Sequence, residues 1–266
     1  MAATEFGCAV HKKVSSKPIF VSDSIFSKSL SEFRIHDIYL PKGYVKGRRY
    51  PIMYGTDGID EQTIFVLDSL IKKKKLLPFI YVSSRANVRI ADSTTVKTGD
   101  GKALSLAYRN FDYIKNNASG GSGPLANRFE QHLEYFVHEF VPHVETTLSL
   151  PDDPHNRYYT GFSNGAGFGV QMLNRYPELM SNYCCFSPFG ADPDELPWVK
   201  GQVYPELFWW YGNEEPDFLN DDAAFIQERY NESRGTFHLS KYDGGHSHER
   251  WRAIFIDWCL SEFAAP

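Results

Sequence analysis

Sulfur is scarce in this sequence, with four Cys and four Met among 266 residues. The cysteines stand at Cys8, Cys184, Cys185 and Cys259, without the spacing of a disulfide framework or a zinc ribbon. Cys184 and Cys185 are neighbours in an apolar run, where a strand would point them to opposite faces. They are expected to be small core residues. Basic charge is also in short supply. Lys and Arg number 28 against 33 Asp and Glu, leaving a net charge of −5. No basic stripe is present to neutralise a phosphate backbone, so nucleic acid is not expected as a partner. The single basic run, Lys72 to Lys75, follows an apolar stretch and is expected to be a solvated helix C-terminus that complements the helix dipole. No apolar run approaches the ~18 residues of a membrane span, and the N-terminus lacks a basic start followed by a long apolar segment. The expected location is therefore cytoplasmic, with no membrane partner. The Asn-x-Ser sequons at Asn117 and Asn231 are too short a pattern to argue secretion.

What is present is an ordinary globular balance, 42% apolar and 23% charged. Aromatics reach 15%, with 20 Phe, 16 Tyr and 5 Trp, enough for a large core and an aromatic-lined pocket. No internal repeat and no linker divides the chain, so residues 1–266 are read as a single α/β domain.

The first thirty residues carry little periodicity. Residues 31–40 alternate as a strand should, and a turn signal follows at Pro41-Lys-Gly43. Further strands are predicted at 50–54, 76–82, 158–160, 182–186, 207–211 and 236–242. Helices are predicted at 61–70, 127–148, from Gly165 towards Met180, 221–230 and 249–263. This alternation predicts a largely parallel sheet with helices on both faces. Residues 84–125 are polar and rich in Ser, Thr, Asn and Gly, and are read as a long irregular lid-like insert. Arg109-Asn-Phe-Asp-Tyr113 interrupts it with aromatics.

The chemistry centres on Gly161-Phe162-Ser163-Asn164-Gly165, between a predicted strand and a predicted helix. A serine hydroxyl is a weak nucleophile and must be presented at an exposed turn beside a base. A tight strand-to-helix turn does this, at the cost of strained backbone at the serine and tiny residues two positions to either side. Gly244-Gly245-His246 follows the last predicted strand, where an imidazole can reach the serine as general base and then general acid. His248 is the competing histidine. A His-x-His metal pair would need further ligands, and no nearby cluster supplies them. The acid is expected between serine and histidine in chain order, in Gly212-Asn-Glu-Glu-Pro-Asp217, where Glu214, Glu215 and Asp217 all qualify by position. The oxyanion donors are expected to be the amide of Asn164 and one from the loop Gly55-Thr-Asp-Gly-Ile59, either Gly58 or Ile59.

With these motifs in view, the chain resembles the α/β-hydrolase "putative esterase" family, which includes enterochelin (siderophore) esterases, feruloyl esterases, S-formylglutathione hydrolases and mycolyltransferases. The resemblance covers roughly residues 30–262. It is carried by Tyr50-Pro-Ile-Met-Tyr-Gly-Thr-Asp-Gly58, by Phe136-Val-His-Glu-Phe-Val-Pro142 leading to the serine motif, by Tyr211-Gly-Asn-Glu-Glu-Pro216, and by Gly244-Gly-His-Ser-His-Glu-Arg-Trp251. The siderophore-esterase branch is similar in its Asp-Gly oxyanion loop and its Gly-x-x-Glu-Pro acid. Departures are Ala166, where many members carry a second glycine, and the polar insert. The resemblance implies an α/β-hydrolase fold with a mostly parallel sheet in a three-layer sandwich. It places the acid on Glu215, three residues after the glycine that ends the strand. It implies a serine esterase in which Ser163 attacks, His246 moves the proton, Glu215 orients His246, and the amides of Asn164 and Ile59 hold the oxyanion. The substrate would be a small-molecule ester, siderophore-like or aromatic, and the reaction calls for no metal or cofactor. An acyltransferase using the same triad, or a non-catalytic binding protein on the same fold, are the alternatives.

Overall fold

In the computed structural model, which describes residues 17–97, 103–115 and 125–266, the alternation of residues 31–40 becomes a strand paired with one the sequence did not announce. Strand β1 (Ile19–Ser27) runs antiparallel to β2 (Glu32–Leu40). Only Ser27 of β1 is buried, and only Ile19 and Ile25 pack partly against the core, so the apolar period on it is weak. Then follow β3 (Ile52–Thr56), β4 (Ile80–Ser84), β5 (Ile90–Lys97), β6 (Ala103–Ala107), β7 (Arg157–Phe162), β8 (Asn182–Phe186), β9 (Glu206–Gly212) and β10 (Phe237–Tyr242). Eight of these form one sheet in the order β1-β2-β4-β3-β7-β8-β9-β10. β2 and β4 are antiparallel, and every pairing from β4–β3 to β9–β10 is parallel. β4 starts later than the predicted 76–82: Leu76 makes only an isolated bridge to Ala264, and Pro78, which has no N–H to donate, intervenes.

The helices are α1 (Glu61–Lys72), α2 (Tyr108–Tyr113), α3 (Arg128–Glu134), α4 (Val141–Leu148), α5 (Asn164–Arg175), α6 (Phe218–Asn231) and α7 (His248–Glu262). They cover both faces of the sheet. One buried cluster joins Tyr54 and Tyr159 to the side chains of α3 to α6. The other joins Met53 and Tyr81 to Leu67 of α1 and to Trp251, Phe255 and Trp258 of α7. Cys185 belongs to the first cluster and Cys184 to the second, as strand alternation requires. Lys72 ends α1 and the next three lysines are exposed. Among the described residues no helix is long and apolar enough to cross a membrane.

Two expectations need correction. The predicted helix 127–148 is continuous but not uniform: α3 passes through a π-helical turn (Tyr135–Phe140) before α4. One turn with i→i+5 bonds is too short to be told from α-helical spacing by its apolar residues. Residues 84–125 are not wholly irregular, since β5 pairs with β6 and α2 follows. α2 is fixed by Asp112, which is wholly buried and ion-paired to Arg34 at 3.0 Å and Arg128 at 2.7 Å; both arginines also reach Glu32. Cys8, Asn117 and the glycine-rich stretches 98–101 and 119–124 lie outside the described residues.

Candidate active site

The parallel strands end on a common edge, and the turns there carry the chemistry. β7 runs into α5 through Ser163, whose φ of 54° and ψ of −126° no ordinary helix start shows. The neighbours make this turn possible. A Cβ on Gly161 would come 2.5 Å from the Gly165 carbonyl, and one on Gly165 would come 2.2 Å from Thr56 Oγ1. The Tyr159 hydroxyl donates to the Gly165 carbonyl at 2.6 Å and braces the start of α5 from β7.

His246 reaches this turn from the loop after β10. Its Nε2 lies 3.0 Å from Ser163 Oγ, and its Nδ1 lies 2.6 Å from Glu215 Oε1. The imidazole meets Phe189 and Trp251 edge to face, at centroid distances of 4.8 and 4.5 Å. The loops after β9 and β10 are latched together: the Asn213 amide donates to the Tyr242 carbonyl and the Glu214 amide to the Gly244 carbonyl. A Cβ on Gly212 would meet the Gly244 carbonyl at 2.0 Å, so only glycine permits this approach.

The choice among the three acids follows from the turn after β9. The Glu215 amide donates to the Gly212 carbonyl, and the Gly212 amide donates back to Glu215 Oε2 at 2.6 Å. The Ser187 hydroxyl donates to the same oxygen at 2.6 Å and the Tyr242 hydroxyl at 3.0 Å. Burial alone would push the Glu215 carboxyl up. The hydrogen bonds from Gly212, Ser187, His246 and Tyr242 outweigh it and hold the group below the usual glutamate range. Glu214 and Asp217 are exposed, and Asp217 stands at the start of α6. Asp243 bonds the Asn213 side chain instead of the imidazole. His248 opens α7 and stacks edge to face on Trp251.

The oxyanion donors divide. The Asn164 amide is at the first position of α5, among the N–H groups a helix cannot satisfy itself. The two loop candidates are engaged: Gly58 donates to the Ser84 carbonyl at 3.2 Å, and Ile59 donates to Asp37 Oδ2 at 3.3 Å. Of these, the Ile59 amide is held by a side chain and the Gly58 amide by the backbone. That side chain is Asp37, a nearly buried carboxylate on β2 that Arg85 clamps through Nε and Nη2 at 2.6 to 3.1 Å.

Sequence reasoning gave no role to several groups around the site. Ser187, with φ of 49°, bridges Glu215 to Trp251 Nε1. Arg109 of α2 grips both oxygens of Asp57 at 2.6 and 2.7 Å and donates to Asn164 Oδ1 at 3.0 Å. The insert therefore touches the residue after Ser163. Its only signal in sequence is the cluster of aromatics around Arg109. A cleft of about 400 Å³ lies alongside, walled by Asp57, Ile59, Tyr81, Phe162, His248 and Arg252.

Comparison with known proteins gives the chain a family and a fold. Residues 27–237 match the model of the family described as "Putative esterase". The chain belongs to that family. This esterase also has the fold of solved relatives at low identity. An IroE-like serine hydrolase from Shewanella oneidensis is 17% identical with a TM-score of 0.66, over 92% of this chain and 80% of that one. A ferulic acid esterase from Anaeromyces mucronatus is 16% identical with a TM-score of 0.65, over 93% and 91%. A siderophore hydrolase from Aspergillus nidulans is 11% identical with a TM-score of 0.65, over 92% and 95%. The esterase is thus a carboxylic-ester hydrolase of α/β-hydrolase fold, with mostly parallel strands between two helical layers.

Proposed function

We propose that this esterase cleaves its substrate through an acyl-enzyme on Ser163. The hydrogen-bonded series from Ser163 Oγ through both nitrogens of His246 to Glu215 carries the reading. His246 Nε2 takes the hydroxyl proton as Ser163 Oγ attacks the ester carbonyl. The imidazolium stays paired with Glu215 and then gives that proton to the departing alkoxide, which leaves as an alcohol. Water, deprotonated by the same nitrogen, then attacks the acyl-serine and releases the acid. Glu215 accepts from Nδ1 throughout, which fixes the tautomer that keeps Nε2 available.

The Asn164 amide supplies one oxyanion donor, helped by the N-terminal end of α5. The Ile59 amide becomes the second only when it leaves Asp37, to which its bond is long. The whole chain works as one hydrolase domain, with the described part of the insert, β5, β6 and α2, as a cover over the site. Arg109 supports this placement through its bonds to Asp57 and Asn164. A siderophore-like or aromatic ester is the favoured substrate. The cleft has the size of a small-ligand site, and Tyr81 and Phe162 give it aromatic walls. Relatives of the same fold carry the names ferulic acid esterase and siderophore hydrolase.

A fluorophosphonate probe tests the nucleophile directly. The wild-type chain is expected to label at one serine, and Ser163→Ala to lose both label and turnover. Labelling that survives in a folded Ser163→Ala chain would remove the assignment. A screen of feruloyl esters, siderophore lactones and simple acyl esters then ranks the substrate class. Ester products formed in the presence of added alcohols would identify acyl transfer.

A further inference from the structure

On the far side of β2 from Asp37, three side chains meet with no role in the reaction above. Asp23 and His36 are direct partners in the antiparallel pairing of β1 with β2, so their side chains share a face. His143 comes to the same place from α4. The donor atoms of the three lie within 4.8 Å of one another, and His143 Nε2 is 4.0 Å from Asp23 Oδ2. The rings of His36 and His143 meet edge to face at 5.7 Å, and Phe140 closes the other side of His36 at 5.3 Å.

His36 is the telling residue. It is wholly buried, and neither ring nitrogen has a hydrogen-bond partner among the described residues; His143 Nε2 has none either. An unpaired buried polar group destabilises the fold, and an apolar side chain would fill the same space without that cost.

We propose that Asp23, His36 and His143 bind a divalent transition-metal ion of the Zn²⁺ class, joining the outer strand pair of the sheet to α4. The donor set of two imidazoles and one carboxylate suits Zn²⁺ and its neighbours and not Ca²⁺ or Mg²⁺, which take oxygen ligands. Tetrahedral ligation at about 2.0–2.1 Å puts ligand atoms about 3.3 Å apart. The three side chains must therefore draw in by about an ångström from their present spacing. Asp23 and His143, at 46% and 32% exposure, are the ones with freedom to do so. A fourth position remains for water. The ion would satisfy one His36 nitrogen and pin β1, which otherwise is an exposed edge strand.

The test uses the full chain without an affinity tag, stripped with a chelator and titrated with Co²⁺ and then Zn²⁺. One equivalent of Co²⁺ is expected to give the visible d–d bands of a four-coordinate site, and Zn²⁺ to bleach them. Zn²⁺ is also expected to raise the melting temperature. Asp23→Asn and His143→Ala, both at accessible positions, should each weaken binding by more than about tenfold and cancel the thermal shift, with circular dichroism unchanged. Absence of saturable binding would overturn the proposal. So would binding that both variants leave intact, since it would belong to other histidines.

Discussion

At the residue scale, the site turns on which carboxylate faces the imidazole. Chain order alone left Glu214, Glu215 and Asp217 equivalent. The decision lies in a turn of four residues, Gly212 to Glu215, in which the Gly212 amide and the Glu215 side chain close on each other. Ser187 and Tyr242 complete the cradle from 28 and 27 residues away, and no local pattern reveals such partners. The turns that carry Ser163 and His246 were legible because they contain glycines at close approaches or positive φ, which are visible in any sequence. Glu215→Gln is expected to lower kcat by about 10³–10⁴-fold, because the amide no longer holds the imidazole in the productive tautomer. Asp217→Asn should change kcat by less than about twofold, since that side chain is exposed. Steady-state kinetics on one chromogenic ester compares them. A costly Asp217→Asn would mean that the acid is misassigned.

At the element scale, alternation and apolar runs marked most strands of the main sheet but missed β1, which is exposed along nearly its whole length. The strands β5 and β6 pair only with each other, inside a stretch rich in polar residues. The helix α2 is short and held by the buried charges of Asp112, Arg34 and Arg128, contacts to distant elements that a local reading cannot anticipate. Its product is a fixed platform for Arg109. Arg109→Ala is expected to cut kcat by about tenfold, since the loop after β3 and the first residue of α5 lose their common tether. Stability should barely change, because a partly exposed ion pair contributes about 0–1 kcal/mol. Arg109→Lys should recover little, as an ammonium cannot span two carboxylate oxygens and an amide in one plane. Kinetics beside thermal melts checks this; a fall in melting temperature that tracks the fall in kcat would make the role structural. Gly165→Ala attacks the opposite side of the same junction. Its methyl would overlap the buried Thr56 side chain, so α5 must shift away from β3. The expected cost is about 1–3 kcal/mol of stability with a larger proportional loss of turnover, measurable by denaturant titration of the purified variant.

For the whole molecule, the largely parallel sheet and its two helical layers were implied by strand–helix alternation, because parallel strands need crossovers and crossovers need cover. The distribution of charge over the finished surface was not, since a net of −5 says nothing about which acids the fold crowds together. α6 brings Asp222 beside Asp192, Asp194 and Asp221, the first two of these lying at the helical turn Pro193–Glu195. Burial, followed by these like charges, pushes the Asp222 carboxyl up to about 7. Between the ordinary aspartate value and that point the folded chain binds more protons than the unfolded one, so this group makes stability fall as pH rises from about 4 to about 7. Glu215 acts with the opposite sign. Its carboxyl is held below the ordinary value, so its contribution is full above that value and is lost only as pH falls through the lowered one. The two are therefore separable on the pH axis. Asp222→Asn removes the charge that the neighbouring acids oppose. It should raise the melting temperature at pH 8 by about 2–4 °C, the shift that roughly 1 kcal/mol produces in a chain near this size, and leave it unchanged near pH 4, where Asp222 is already protonated. Melts across that range decide the matter: an equal change at both ends would assign the effect to packing of α6 and not to charge.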